Sequence, residues 1–252
     1  MTPPSPSEIW RFDTTHVGPR VLVFDELPST NTFAADHCNE GDVFIALNQT
    51  AGRGRFDREW RSAPGRSLLM SVAITPPKSL RRPSILTAWA AVSVAKAIEP
   101  LAAVRPTIKW PNDLLIGGKK VCGILIEQRE RTVVGIGLNL SQTPPDFADL
   151  PDATSLGIAS GITIGVRTAA EAVVRNLDAE YELLVSGRRA AVETAWKTRT
   201  GLLGRNVLVE LTDGTSFPAR LRDMSFDGLE IETAEGFPRA IVPETVAHVR
   251  AL

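Results

Sequence analysis

The sequence predicts an α+β protein: a mixed, mostly antiparallel sheet with helices, followed by a small C-terminal β-barrel. Three observations predict it. Strand-like and helical runs follow one another without strict βαβ alternation, which argues against an all-parallel sheet. Runs between about 105 and 140 are joined by a Gly117-Gly118 turn and by the charged tip Arg129-Glu130-Arg131, as antiparallel hairpins are. From about residue 202 the apolar residues recur at period two, broken by Asp-Gly, Glu-Gly and Pro turns. The organisation expected is a lead-in over 1–19, a large domain over 20–201 and the barrel over 202–252.

Taken in order, residues 1–19 are Pro-rich and are expected to be loosely ordered. VLVFDEL (21–27) is a strand, and Ser29 is placed as the N-cap of a short helix containing Phe33 and Ala34. VFIALNQ (43–49) and SLLMSVAIT (67–75) are strands separated by a long stretch, 50–65, without apolar periodicity. A loop of that length inside a compact domain is usually functional or disordered. The Ala-rich run 83–99 follows a proline and reads as a buried helix. Short strands follow over 105–110, 112–116, 120–128 and 132–140, then a helical pattern from about 166 to 199, then the barrel strands.

A net charge of -1 over 252 residues removes the basic excess of a general nucleic-acid binder, so anion binding has to come from local clustering. Two cysteines, Cys38 and Cys122, form no CxxC pair and cannot staple a chain this long; they are read as structural. The start lacks the basic and apolar regions of a signal peptide, and no uninterrupted apolar run reaches bilayer length. A cytoplasmic protein is expected.

The chemistry concentrates in QTAGRGRFDREWRSAPGR (49–66), where five arginines stand against Asp57 and Glu59. Glycines let the backbone approach a ligand, exposed N–H groups make an anion nest, arginine binds phosphate or carboxylate, and Trp60 offers a flat face. That set suits a nucleotide anhydride, and equally a solvated basic loop or one that touches RNA. In IKWPNDLLIGGKKVCGILIE (108–127), Pro111 interrupts a strand and leaves Asn112 and Asp113 exposed beside Lys109, Lys119 and Lys120. A metal–nucleotide complex fits that grouping, as does a capped hairpin with surface lysines. GIGLNL (135–140) alone is a glycine-bearing strand with a polar end.

Together these segments resemble the biotin protein ligase family. The resemblance rests on Ser29–Asn31, on Gln49 through Gly-Arg-Gly-Arg to Trp60, on Lys109-Trp-Pro-Asn-Asp113, on Lys120 to Glu127, on Gly135 to Asn139, and on ATSL (153–156). It implies a class II synthetase-like catalytic domain with an SH3-like barrel, and an activity in which biotin and ATP form biotinyl-5'-AMP before transfer to a lysine of a biotin carboxyl carrier protein. By the resemblance, Ser29, Thr30, Asn31, Gln49, Arg53, Gly54, Arg55, Lys120 and Gly123 face biotin. Arg55, Lys109 and Lys120 act in catalysis, Arg58, Trp60, Asn112 and Asn139 meet ATP, and Asp113 contacts Mg2+. The 50–65 loop is expected to close over ligand and keep water from the adenylate.

Two positions depart from the family pattern: Asp57 in the loop, and Pro243-Glu244-Thr245-Val246 in place of a Gly-x-Val ending, which bears on docking of the carrier by the barrel. A lipoate ligase of the same fold is the alternative. DNA binding is not expected, because the stretch before the first strand is too short for a helix-turn-helix. A monomer or a homodimer is compatible with the sequence.

Overall fold

The computed structural model describes residues 3–55 and 58–252. Its larger sheet uses β1 (Glu8–Trp10), β2 (Val21–Leu27), β3 (Val43–Gln49), β4 (Ser67–Ile74), β5 (Thr107–Lys109), β6 (Asp113–Ile116), β7 (Lys119–Gln128) and β8 (Thr132–Asn139). Spatial order is β1-β2-β3-β4-β8-β7-β6-β5. β2 and β3 pair in parallel, and the other neighbours pair antiparallel. The predicted mixed, mostly antiparallel sheet is therefore the observed one. β4 lies centrally with every residue buried, which explains its nearly unbroken apolar run.

The period-two alternation sorts this sheet into two faces. Val43, Ile45, Leu68, Met70, Val134, Ile136 and Leu138 belong to the main core. On that face lie α2 (Pro83–Ala102), α4 (Val166–Val185) and α5 (Arg189–Thr200). Phe24, Leu27, Phe44, Ala46 and Val133 face the other way, into a small core with Ala34 of α1 (Thr30–His37). α1 covers only part of that face, and the site lies on the remainder. A further short helix, α3 (Leu156–Ser160), follows β8.

α2 is long and apolar enough to cross a membrane by length and composition, but most of it is buried inside the protein. Its Trp89 is fully buried and donates Nε1–H to the Leu177 carbonyl of α4 at 3.0 Å. Trp89→Phe is expected to lower the unfolding free energy by about 1–3 kcal/mol, through the lost bond and the void left behind. Urea denaturation measures this.

The C-terminal strands β9 (Asn206–Leu211), β10 (Ser216–Met224), β11 (Leu229–Thr233), β12 (Pro238–Ile241) and β13 (Val246–Ala251) form an antiparallel sheet in the order β12-β11-β10-β9-β13. Among the described residues no β12–β13 pairing closes it into a barrel. It is joined to the rest by Trp110 Nε1–H donating to the Val246 carbonyl at 3.2 Å and by a row of rings, Trp110, Trp196 and Phe226. Glu244, in the departing segment, is held by Arg82 at 2.8 Å and by Ser84, so it locks the small sheet onto the start of α2.

Three expectations need correction. Part of the lead-in is ordered: Glu8–Trp10 pairs with β2, Trp10 is buried, and Asp178 accepts from the backbone N–H of His16 and Val17. The helical pattern after 166 is two helices, divided at Gly187, whose φ of 82° a helix cannot hold. α2 runs past residue 99 to Ala102, with Pro100 inside its last turn.

Candidate active site

The site is built on the uncovered face of β4, β7 and β8. Because neighbouring strands are in register, one row of side chains crosses that face: Lys109, Asp113, Gly123, Gly137 and Leu69. A parallel row holds Leu125, Gly135 and Ser71. The glycines are required by close approach. A Cβ on Gly137 would sit 2.5 Å from Trp60, one on Gly123 would sit 2.9 Å from Trp60, and one on Gly135 would sit 2.2 Å from Asn31 Oδ1. Strand glycines of this kind mark where another group lies against the sheet.

Above this floor the described parts of the expected irregular loop, 52–55 and 58–60, pair as the two arms of a narrow hairpin. Trp60 N–H donates to the Gly52 carbonyl at 3.0 Å, Gly54 N–H donates to the Arg58 carbonyl at 2.6 Å, and Arg53 bridges to Glu59. Asp57 lies outside the described residues. The Trp60 ring rests on Gly123 and Gly137, with Lys120 Nζ 5.5 Å from the ring centroid.

The hairpin and the sheet enclose a cavity of about 490 Å³, part of it open to solvent. Ser29, Thr30, Asn31 and Gln49 line one part of it. Arg53, Gly54, Arg55, Trp60, Asn112, Lys120 and Gly123 also line it, with apolar wall from residues such as Leu69 and Leu125. Four sequence-predicted residues do not line it: Arg58, Lys109, Asp113 and Asn139.

At the polar end Ser29 caps α1, its side chain accepting from Thr32 N–H. Gln49 Oε1 accepts from Thr30 N–H at 2.7 Å and lies 3.0 Å from Thr30 Oγ1. Ser71 Oγ lies 2.7 Å from Thr30 Oγ1 and 2.6 Å from Asn31 Oδ1. Two hydroxyl protons thus serve three contacts, because the amide oxygens of Gln49 and Asn31 only accept. This end is short of a donor and suits a ligand that brings N–H groups.

The other end is cationic. Lys120 is clasped through its backbone, its N–H donating to the Asp152 carbonyl at 2.7 Å and its carbonyl accepting from Thr154 N–H at 2.8 Å. Its Nζ lies 2.7 Å from Asp113 Oδ1. Arg55 Nη1 donates to Asn112 Oδ1 at 3.3 Å, while Asn112 Nδ2 donates to the Ile124 carbonyl at 2.9 Å. Burial pulls the Arg55 pKa below its ordinary value, and nearby Asp113 partly opposes this. An arginine keeps its charge in proteins, so Arg55 brings a half-buried positive charge to the cavity wall.

The four outlying residues have different places. Lys109 is exposed at the edge strand, on the site face but one strand beyond Asp113. Arg58 has an exposed side chain and shapes the hairpin through its backbone. Asn139 is buried: Nδ2 donates to the Thr154 carbonyl at 2.9 Å and Oδ1 accepts from Gln142 at 3.1 Å. It anchors the segment that clasps Lys120, because its position at the end of the glycine-bearing strand points it into that segment. Asp113, expected to be exposed, begins β6 and is part-buried against Lys120. Cys122 is fully buried and burial pushes its thiol pKa up, in keeping with a structural role.

Sequence reasoning gave no role to Ser71 or Glu127. A serine inside an otherwise apolar strand was the available signal for the first. For Glu127 it was a carboxylate on the same strand face as Gly123.

A donor-poor end and a cationic end in one cavity, beneath a Gly-Arg hairpin, suit a small acid that carries N–H groups. Residues 23–141 match the Biotin/lipoate A/B protein ligase family. The bifunctional ligase/repressor BirA of Bacillus subtilis is 34% identical over 248 residues, 93% of this chain and 76% of that one. The biotin–[acetyl-CoA-carboxylase] ligase of Mycobacterium tuberculosis is 33% identical over 222 residues, 84% of this chain and 80% of that one. The biotin protein ligase from Aquifex aeolicus in complex with biotin and ATP has the same fold: TM-score 0.80 and 24% identity, over 92% of this chain and 99% of that one. The chain belongs to the Biotin/lipoate A/B protein ligase family, and within it to the biotin protein ligases.

Proposed function

We propose that this chain joins biotin to ATP, forming biotinyl-5'-AMP with release of pyrophosphate, and then passes the biotinyl group to a lysine of a carrier protein as AMP leaves. The observation that carries this reading is the two-ended cavity. Biotin has ureido N–H donors at one end and a carboxylate at the other, with an apolar body between. The Thr30–Asn31–Gln49–Ser71 cluster lacks one donor, Arg55 and Lys120 supply positive charge, and Trp60, Leu69 and Leu125 supply apolar wall.

In the first step a carboxylate oxygen of biotin attacks the α-phosphorus and the bond to pyrophosphate breaks. Both reactants are anionic. Arg55 and Lys120 offset their repulsion and the charge on the crowded phosphoryl centre, and the walls fix the angle of attack. In the second step a carrier lysine amine, in its neutral form, attacks the acyl carbon of the anhydride. Lys109 and Arg58, outside the cavity lining, would in this reading meet the outer phosphates before those leave. Lys120 occupies Asp113, and no group of three acidic, His or Cys side chains that could hold a metal occurs among the described residues. In this reading magnesium arrives with the nucleotide as substrate, held mainly by its phosphates, with Asp113 the nearest carboxylate.

The carrier in this reading is a biotin carboxyl carrier domain of a carboxylase, and the compartment is the cytoplasm, where free Cys38 and Cys122 would stay reduced. The division at about 201/202 into a catalytic and a small C-terminal domain belongs to the same proposal. Exchange of labelled pyrophosphate into ATP tests it. Exchange should require biotin; exchange supported by lipoate and not by biotin overturns the substrate assignment.

Arg55→Ala is expected to cost about 1.5–3 kcal/mol of transition-state stabilisation, the worth of a charged hydrogen bond, with the fold retained. The kcat/KM of adenylate formation reads the loss, and circular dichroism checks the fold.

A further inference from the structure

We propose that Glu127 is a positioning residue for biotin, holding the 52–55 arm of the hairpin, through Arg53, and the Asn31 amide with one carboxylate. The inference rests on the biotin reading above and goes beyond it. Arg53 lines the cavity, and its guanidinium turns to Glu127: Nη2 donates to Oε1 at 3.0 Å and to Oε2 at 3.1 Å, and also reaches Thr32 Oγ1 of α1 at 3.2 Å. The same Oε2 accepts from Asn31 Nδ2 at 2.7 Å. One acid at the far end of β7 thus ties the roof of the cavity to its polar end.

The second contact determines chemistry in the cavity. An asparagine amide has a donor end and an acceptor end, and Asn31 uses both. With Nδ2 on the carboxylate, Oδ1 must point to Ser71 Oγ, 2.6 Å away. The reverse orientation would set an amide oxygen against a carboxylate oxygen. Glu127 therefore dictates that Ser71 meets an acceptor, which creates the shortage of donors that biotin N–H groups would relieve. In Glu127→Gln the new, uncharged amide could donate as well as accept, so Asn31 could turn over and present N–H to Ser71. The cavity would then offer a donor where biotin also brings one. The Arg53–Glu127 pair is part-exposed and contributes little to stability, so its loss acts on the hairpin and the cavity rather than on the fold.

The test is Glu127→Gln, Arg53→Ala and the double variant in the full-length protein, assayed by biotin-dependent pyrophosphate exchange with both substrates varied. Glu127→Gln is expected to raise KM for biotin about tenfold, more than kcat falls, with KM for ATP within about twofold of wild type. Arg53→Ala should raise KM for biotin about threefold and speed hydrogen exchange of the 52–54 amides, and the double variant should lose no more than Glu127→Gln alone. A biotin KM within about twofold of wild type in Glu127→Gln, or equal rises for biotin and ATP, overturns the assignment. Should Glu127→Gln fail to fold, Arg53→Ala decides, and unchanged KM and exchange there overturn it. Wild-type protein without biotin-dependent exchange refutes the biotin reading itself, whereas active wild type with indifferent variants refutes only the role of Glu127.

Discussion

Replacing Lys120 by alanine is expected to slow formation of biotinyl-AMP by about 10²–10³-fold, the usual cost of removing one preorganised group from a charge-stabilising site. The main chain around Lys120 is fixed by Asp152 and Thr154, and its ammonium lies between Asp113 and the Trp60 ring. No neighbouring lysine can swing into that place: Lys119 precedes it and so points to the opposite strand face, and Lys109 is at the sheet edge. Truncation also leaves the part-buried Asp113 carboxylate facing the incoming anions. The double variant Lys120→Ala/Asp113→Asn separates the two effects. If repulsion by Asp113 dominates, the double variant recovers most of the rate; if the missing cation dominates, it stays slow. Single-turnover quench measurements distinguish these, and a rate for Lys120→Ala within about fivefold of wild type contradicts the role given to Lys120.

Gly135→Ala is the second large effect. The backbone there is ordinary extended strand, so alanine costs nothing in conformation. Its methyl group, however, would lie 2.2 Å from Asn31 Oδ1, 2.9 Å from Cγ and 3.0 Å from Nδ2. Asn31 is buried and held by Ser71 and Glu127, so it cannot yield without breaking both bonds. Overpacking of this kind costs about 1–3 kcal/mol of stability. The larger consequence falls on ligand. With Asn31 displaced, the polar end loses its arrangement, and biotin affinity should fall about 100-fold while ATP binding persists. Titration calorimetry with each substrate measures this; unchanged biotin affinity contradicts the placement of the ureido end beside Asn31.

Much of the fold was legible because each element carries a strong local signal. The strands over 21–27 and 43–49 were readable from compact apolar runs, Ser29 from the chemistry of an N-cap, and the β6–β7 turn from Gly117 and Gly118, both at positive φ. β1 was not legible: three residues amid prolines show no period, and the strand exists because β2 offers a free edge. The break between α4 and α5 was hidden because Gly187 is flanked by residues that continue an amphipathic pattern.

The candidate site was legible as motifs and less so as geometry. Sequence order placed Thr30, Gln49, Arg55, Trp60 and Lys120 together, and they do line one cavity. It could not tell a residue that faces the cavity from one that braces it. Asn139 and Asp113 are of the second kind, since each satisfies a neighbour that does face the cavity or clasps one that does. Ser71 and Glu127 stayed without a role for the opposite reason. Their partners, Thr30, Asn31 and Arg53, come from distant segments, and only the strand register brings them into contact.

The most direct test of the account is a single-turnover incubation of purified protein with biotin, ATP and magnesium, followed by extraction and mass spectrometry. Biotinyl-5'-AMP is expected to be retained by the protein in near-stoichiometric amount, with pyrophosphate released and no AMP until a carrier lysine is supplied. Folded protein that yields no biotinyl-5'-AMP under these conditions contradicts it.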